Sequence, residues 1–102
     1  MQLFGLKTCD TCRKAAKALN VVMRDVRADP LDPADITRFL AAFGTDLVNK
    51  RSTTWRNLDD AERANSPETL LADHPTLMKR PVIEKDGQLY LGWGAAVQNA
   101  LL

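Results

Sequence analysis

The sequence has little of what several classes of protein require. Its 102 residues include only two cysteines and one histidine, and its formal net charge is +1. No apolar run approaches the roughly 20 residues of a membrane-spanning helix, and the first residues lack the charged-then-apolar pattern of a secretory signal. Binding to duplex DNA needs clustered Lys and Arg, which this charge balance does not favour. These absences predict a cytoplasmic protein with no membrane association and no direct contact with nucleic acid.

The composition is that of a folded protein. Hydrophobic residues make up 45% and charged residues 26% of the chain, which excludes long disordered or fibrous segments. A chain of this length forms about one domain, whose core needs neither disulfides nor metals to fold. We therefore expect a single domain over residues 1–102.

The first quarter of the sequence predicts a β-α-β unit. Gln2 to Leu6 is a short apolar strand, Asp10 to Leu19 has the Ala, Lys and Arg content of a helix, and Val21 to Val26 is a second strand. A crossover through one helix makes the two strands parallel. Cys9 and Cys12 lie where the first strand gives way to the helix.

The middle of the chain predicts further helices. Asp32 and Pro33 are an N-cap and a first helical residue, followed by apolar residues at helical spacing and closed by Gly44. Shorter helices are expected to begin near Asp59 and near Ser66. We interpret residues 33–75 as an α-helical insert.

After Pro81 the pattern changes to that of a β-hairpin. The runs PVIEK and QLYLGW are separated by Asp86-Gly87, which are residues of a tight turn, and Ala95 to Leu102 can form a last helix. The element order predicts an α/β protein with a thioredoxin-like fold, in which a mixed four-stranded sheet is flanked by helices. Residues 1–32 and 76–102 form its core, and the insert separates them in sequence.

The two cysteines have different predicted environments. Cys12 falls on the apolar face of the helix, whereas Cys9 lies at or just before the first turn, where unpaired N–H groups and the helix dipole favour an anion. The pKa of Cys9 should therefore fall below the free value of about 8.5. Lys7 and Arg13 add positive potential and Asp10 opposes it. A reactive outer Cys with a more buried partner one turn later suits attack, formation of a mixed disulfide and its resolution.

Two other interpretations of the cysteine pair stay open. Free Cys is among the most buried residue types, so the two thiols would then be packing residues. A structural zinc site needs four ligands, and His74 is the only other Cys or His in the chain. Because reducing compartments disfavour structural disulfides, a redox-active pair is the favoured interpretation, and no metal is expected.

Three motifs in order, CDTCRKA, NKRSTTWRNL and LMKRPVI, give the sequence a resemblance to the arsenate reductase/Spx/YffB family of thioredoxin-fold proteins. The resemblance spans nearly the whole chain. It implies that Cys9 is the catalytic nucleophile and that Arg13, its helix-terminal neighbour, takes part in substrate binding. It also implies that Arg51 and Arg80 bind anionic groups and that Pro81 follows a cis peptide bond.

One position departs from the arsenate reductase pattern. The resemblance places a third Arg after the last strand, where this sequence has Trp93 between two glycines. The TTWR motif and the glycine-aromatic pair are more similar to the YffB-like branch. Trp93 is therefore expected to contact substrate. Glutathione is the expected small-molecule partner, because its carboxylates suit Arg51 and Arg80.

The leading hypothesis is an oxidoreductase. It is a thiol-dependent reductase in which Cys9, assisted by Cys12, attacks a disulfide, a glutathione mixed disulfide or an oxyanion. No bound cofactor is expected, and the reductant is glutathione, another small thiol, glutaredoxin or thioredoxin. The alternative is a Spx-like redox-sensing transcriptional regulator that binds RNA polymerase. Spx relatives are usually longer at the C-terminus, so the end of this sequence at its last helix favours the enzyme.

Overall fold

The computed structural model describes all 102 residues. In chain order the regular elements are β1 (Gln2–Gly5), α1 (Asp10–Leu19), β2 (Met23–Asp25), α2 (Pro33–Phe43), α3 (Thr53–Asn57), α4 (Asp60–Arg63), α5 (Pro67–Asp73), β3 (Val82–Lys85), β4 (Gln88–Leu91) and α6 (Ala95–Leu101). The longest helix, α2, has 11 residues, and none has both the length and the apolar character that crossing a membrane requires.

The elements are distributed over two compact units. We call Met1–Asp29 together with Arg80–Leu102 the sheet unit, and Pro30–Lys79 the helical unit. The helical unit extends a few residues beyond both limits of the predicted insert, 33–75. Backbone pairing explains the extension at the later end, because the N–H of Lys79 donates to the carbonyl of Leu47 over 2.7 Å.

The strands of the sheet unit form one mixed four-stranded sheet in the order β2-β1-β3-β4. β1 and β2 are parallel, whereas the β1–β3 and β3–β4 pairs are antiparallel. The register places Leu3 opposite both Met23 and Ile83. This topology, with α1 between the parallel strands and α6 after the hairpin, confirms the predicted thioredoxin-like fold.

Local sequence determines two of the chain reversals in the sheet unit. Asn20 follows α1 in the left-handed conformation (φ 55°), and its N–H donates to the carbonyls of Ala16 and Lys17. Asp86 and Gly87 join β3 to β4 with φ values of 52° and 79°, as a two-residue hairpin turn requires. Both reversals lie where the sequence predicts them.

A small apolar core attaches the helices to the sheet. Leu3 and Ile83 from the sheet, Ala15 from α1 and Leu101 from α6 form its buried centre. Complete burial of each large aliphatic side chain contributes roughly 1.5–3 kcal/mol. This packing fixes α1 against the sheet and thereby fixes the position of its N-terminus, where Cys9 lies.

Strand β2 is shorter than predicted. The sequence suggests a strand from Val21 to Val26, whereas pairing with β1 covers Met23–Asp25. The reason is local: the N–H of Val21 still donates to the carbonyl of Ala16 in α1, and Val22 points into solvent with 93% of its surface exposed.

In the helical unit, three helices begin at the predicted caps. The side chains of Asp32, Asp59 and Ser66 each accept the backbone N–H of the residue three positions later. Helix α3 was not predicted, because its sequence TTWRN is rich in residues of low helix propensity. Its start is set by Ser52, whose hydroxyl accepts the N–H of Trp55.

Candidate active site

A short loop between β1 and α1 presents Cys9 at the helix N-terminus. The N–H of Cys9 donates to the carbonyl of Leu6, and the N–H of Arg13 donates to the carbonyl of Cys9, both over 3.0 Å. Cys9 is therefore the N-cap of α1, with extended backbone (φ −91°, ψ 118°) and no side-chain cap hydrogen bond. Its half-buried thiol lies where free N–H groups and the helix dipole favour a negative charge.

Cys12 lies one turn further along α1 and is fully buried. Burial raises the pKa of Cys12 to about 11; a backbone hydrogen bond with Leu6 opposes the rise, and the neighbouring Cys9 adds to it. The Cys12 thiol therefore keeps its proton at neutral pH and can donate it in a hydrogen bond. The predicted inward orientation of Cys12 is confirmed by this burial.

The environment of Cys9 has the opposite effect. Partial burial alone would raise the pKa of Cys9, but hydrogen bonds from the backbone and the thiol of Cys12, together with the hydrogen bond and the positive charge of Arg80, lower it below its ordinary value. Thiolate is the nucleophilic form of cysteine. The sheet unit thus holds a thiol of lowered pKa, Cys9, beside a thiol of raised pKa, Cys12.

Arg80 and Pro81 lead into β3. The peptide bond between them is cis, as predicted. The ring of Pro81 is less than 2% exposed, and its carbonyl accepts the N–H of Gly92 over 2.8 Å. The hydrogen bond and the positive charge of Arg80, whose backbone is fixed just before a central strand, both lower the pKa of Cys9.

Arg13 contacts the loop that carries Cys9, and its predicted part in substrate binding stays a prediction. One guanidinium nitrogen donates to the carbonyl of Lys7 over 2.9 Å, and another forms an ion pair with Asp10. Both partners belong to the loop and the first turn that carry Cys9. Arg13 therefore ties the loop to the helix, and the positive charge that acts most on Cys9 comes from Arg80 rather than from Lys7 or Arg13.

Asp25 also holds the loop at Lys7, and sequence reasoning missed it. One carboxylate oxygen accepts the N–H of Lys7 over 3.0 Å, and the other accepts the N–H groups of Arg27 (2.8 Å) and Ala28 (3.2 Å). These hydrogen bonds, that from Lys7 first, lower the pKa of Asp25. The available signal was position: Asp25 ends a strand parallel to β1, so its side chain lies at the sheet edge from which the Cys9 loop begins.

Gly5 is a second residue that sequence reasoning missed. It is the last residue of β1, and a Cβ atom built on it would lie 2.6 Å from the Sγ of Cys12. Glycine at this position therefore provides the space that the Cys12 thiol occupies. The only sequence signal is a glycine that ends a strand facing the helix of the cysteine pair.

Trp93 packs against the sheet unit. Its half-buried ring contacts the core cluster of Leu3, Ala15, Ile83 and Leu101, and its carbonyl accepts a hydrogen bond from the side chain of Gln98 over 2.8 Å. Much of the ring is thus used in packing. The predicted contact of Trp93 with substrate stays a prediction for the part that remains exposed.

Arg51 belongs to the helical unit, apart in the chain from the other predicted site residues. Its N–H donates to the side chain of Asn49 over 3.0 Å, and it lines a cleft of about 610 Å³ together with Lys50 and Lys79. Asp46 is the one carboxylate in this cleft. The excess of cations makes the cleft suitable for an anion. The anion-binding role of Arg51 itself stays a prediction.

The structure bears on the two alternatives for the cysteine pair. Both thiols are free, and only Cys12 has the burial of a packing residue. No group of three or more His, Cys, Asp or Glu side chains is arranged to hold a metal ion. His74, the only histidine, belongs to the helical unit, where its Nε2 lies 3.3 Å from the Oε2 of Glu62.

Comparison with known proteins agrees with the fold and with the family resemblance. An uncharacterized protein of Haemophilus influenzae is 45% identical to the chain over 101 residues, which cover 89% of each protein. The global transcriptional regulator Spx 2 of Bacillus cereus is 27% identical over 104 residues, 89% of this chain and 78% of the regulator. The solved structure of a YffB protein superposes with a TM-score of 0.86 at 31% identity, covering 98% of this chain and 96% of that one.

A family model extends this agreement to nearly the whole sequence. The model of the ArsC family matches residues 4–100, a span that includes the Cys9 loop, the helical unit, the Arg80–Pro81 bond and nearly all of α6. The match confirms the resemblance that the three sequence motifs carry. The chain therefore belongs to the ArsC family, in which it is similar both to YffB and to Spx proteins.

Proposed function

We propose that this protein is a thiol-disulfide reductase that acts on mixed disulfides of glutathione, with Cys9 as the nucleophile and Cys12 as the resolving thiol. One observation carries the proposal: at the N-terminus of α1, a half-buried thiol of lowered pKa lies beside a buried thiol of raised pKa. This difference in pKa suits ordered thiol-disulfide exchange, because the attacking sulfur must be a thiolate while the resolving thiol stays protonated until the second step.

In the first step the Cys9 thiolate attacks one sulfur of the mixed disulfide. A new S–S bond forms to Cys9, the substrate S–S bond breaks, and the departing sulfur leaves with the electron pair as a thiolate. The Arg80 guanidinium stabilises the Cys9 thiolate before attack and is a donor for negative charge on the departing sulfur.

In the second step Cys12 resolves the intermediate. Once Cys9 is part of a disulfide, its negative charge no longer raises the pKa of Cys12, so loss of the Cys12 proton becomes easier. The Cys12 thiolate attacks the Cys9 sulfur, forms the Cys9–Cys12 disulfide and releases the second thiolate. Two molecules of a small thiol such as glutathione then reduce this disulfide and are themselves oxidised, which returns both cysteines to the thiol form.

The groups around Cys9 support this substrate class. Glutathione carries two carboxylates, and Arg80 offers a guanidinium that can pair with one of them. The backbone at Pro81 and the exposed part of Trp93 are the proposed contacts for its peptide portion. Arg13 is proposed to keep the loop in place, and Arg51 to bind an anionic group in the cleft of the helical unit.

The test combines turnover with intact mass measurement. The unmodified protein, Cys9→Ser and Cys12→Ser are incubated with a glutathionylated peptide and reduced glutathione. We expect peptide release by the unmodified protein, no release by Cys9→Ser, and accumulation of a glutathione adduct on Cys9 in Cys12→Ser. An adduct on Cys12, or equal release by Cys9→Ser, would contradict the proposal.

A redox-sensing regulator is the second candidate, and the similarity to Spx 2 of Bacillus cereus supports it. In that role the Cys9–Cys12 disulfide would change affinity for RNA polymerase rather than turn over a substrate. Pull-down of purified RNA polymerase by the reduced and oxidised protein discriminates the two. Redox-dependent binding without peptide release favours the regulator, whereas peptide release without binding favours the enzyme.

A further inference from the structure

The space around the Cys12 thiol is closed by β1. A Cβ atom on Gly5 would lie 2.6 Å from the Sγ and 3.0 Å from the Cβ of Cys12, and 3.5 Å from the Sδ of Met23. Three other glycines, Gly44, Gly87 and Gly92, have positive φ, whereas Gly5 does not. The backbone conformation at this position therefore does not require glycine, but the space does.

We propose that Gly5 is a positioning residue for the Cys9–Cys12 pair: because it has no side chain, the Sγ of Cys12 can lie against the end of β1 with its thiol directed to Cys9. The proposal rests on the proposed function of Cys9 as a nucleophile. It goes beyond that function because it concerns the residue that holds the Cys12 thiol in place.

The surroundings leave few ways to relieve a clash at this point. β1 is a central strand, paired with β2 at Gly5 itself and with β3 at the preceding residue, so its backbone cannot withdraw. α1 is fixed on the other side through the core residue Ala15. A methyl group at position 5 therefore forces the Cys12 thiol to rotate and the Cβ atom of Cys12 to shift by a few tenths of an ångström. The rotation breaks the hydrogen bond of the thiol to Cys9.

The test is a titration of thiolate absorbance near 240 nm for the unmodified protein, Gly5→Ala and Cys12→Ala. Gly94→Ala is the matched control, because a Cβ atom at Gly94 has no neighbour within 4 Å and its φ of −78° suits alanine. We expect the pKa of Cys9 to rise to about 8.5 or above in Gly5→Ala and in Cys12→Ala, and to stay unchanged in Gly94→Ala.

A double variant separates positioning from general damage. If Gly5 acts through Cys12, then Gly5→Ala made in the Cys12→Ala background produces no further rise. Should Gly5→Ala alone fail to fold, recovery of folding in the double variant also supports the proposal, because only the Cys12 side chain has been trimmed. Loss of folding in both, a pKa unaffected by Gly5→Ala, or an equal rise in the Cys12→Ala background overturns it.

The same titration distinguishes failure of this inference from failure of the proposed function. A pKa of Cys9 at or above about 8.5 in the unmodified protein removes the basis of the nucleophile assignment. A lowered pKa that persists in Gly5→Ala leaves that assignment intact and rejects only the role of Gly5.

Discussion

At the scale of single residues, two identical side chains acquire different chemistry from their surroundings. Cys12 is enclosed by β1 and α1 and stays protonated, whereas Cys9 stands at the open end of the helix with donors directed at it. Three separate contributions act on Cys9: the helix N-terminus, the Cys12 group and Arg80. Each is a distinct target for mutation.

Variants of Arg80 and Arg13 show how much each guanidinium contributes to the lowered pKa of Cys9. Removal of a guanidinium that hydrogen-bonds a thiolate raises the thiol pKa, since such bonds are worth roughly 1.5–3 kcal/mol before solvent screening reduces them. We expect Arg80→Ala to lower the fraction of Cys9 thiolate at pH 7 by about tenfold. Arg13→Ala should change it by much less, because that guanidinium is directed to Lys7 and Asp10. Iodoacetamide labelling rate against pH measures both, and equal effects of the two variants would contradict the assignment.

Substrate choice is a second question at this scale. With Trp93 at the position where the family resemblance places a third Arg, a tetrahedral oxyanion near Cys9 lacks one charged donor. Loss of a donor worth about 1.4 kcal/mol or more weakens binding by at least about tenfold. We therefore expect little or no arsenate reduction and measurable reduction of glutathione mixed disulfides in parallel assays with the same thiol supply. Arsenate turnover comparable to that of the mixed disulfide would contradict this prediction.

At the scale of elements, the site depends on how β1, α1 and β2 are connected. The loop after β1 is held at Lys7 from both sides, by Asp25 at the end of β2 and by Arg13 in α1. The hydrogen bond between Lys7 and Asp25 joins residues that are 18 positions apart in sequence. The loop is therefore fixed by the sheet topology as well as by its own residues.

The hydrogen bonds of Asp25 stabilise the loop in a manner that depends on pH. The pKa of Asp25 is lowered in the folded protein, so its stabilising contribution is present above the unfolded pKa of about 3.9 and is lost as the pH falls through the folded value. We expect Asp25→Asn to reduce the free energy of unfolding by about 1 kcal/mol at pH 7 and to have a progressively smaller effect as the pH falls below about 3.9. Urea unfolding at neutral pH and over this acidic range measures the difference, and a loss of equal size in both would show that the carboxylate charge is not the cause.

The elements also indicate what the sequence could predict and what it could not. Caps and turns such as Asp32, Asn20 and Asp86-Gly87 act on their own neighbours, so the ends of α1, α2 and the hairpin were predictable. The roles of Asp25 and Gly5 arise from contacts across the sheet, which become visible only once the strand order is known. For the same reason the sequence does not predict the contact of the Arg13 guanidinium with the carbonyl of Lys7.

At the scale of the whole molecule, the site uses a sheet unit assembled from both ends of the chain. Residues 1–29 supply the cysteines and residues 80–102 supply Arg80, Pro81 and Trp93. Their common core is small, with four buried residues at its centre. A cavity in this core should therefore impair the whole sheet unit.

A matched pair of truncations tests this dependence. Ile83 is 0% exposed and Val22 is 93% exposed. We expect Ile83→Ala to lower the free energy of unfolding by about 2–5 kcal/mol, and Val22→Ala to change it by about 0.5 kcal/mol or less. Chemical denaturation followed by tryptophan fluorescence and by circular dichroism measures both. Similar effects of the two truncations would contradict the location of the core.

The central claim is that Cys9, and not Cys12, is the ionised nucleophile of the molecule. The most direct measurement is the rate of iodoacetamide modification against pH, with the labelled cysteine identified by fragment mass spectrometry in the unmodified protein and in Cys12→Ser, where the hydroxyl retains a hydrogen-bond donor. The account predicts that Cys9 reacts first, with a titration midpoint clearly below about 8.5, and that Cys12 stays unlabelled until the pH approaches 11. Labelling of Cys12 first, or a Cys9 midpoint at or above that of free cysteine, would contradict it.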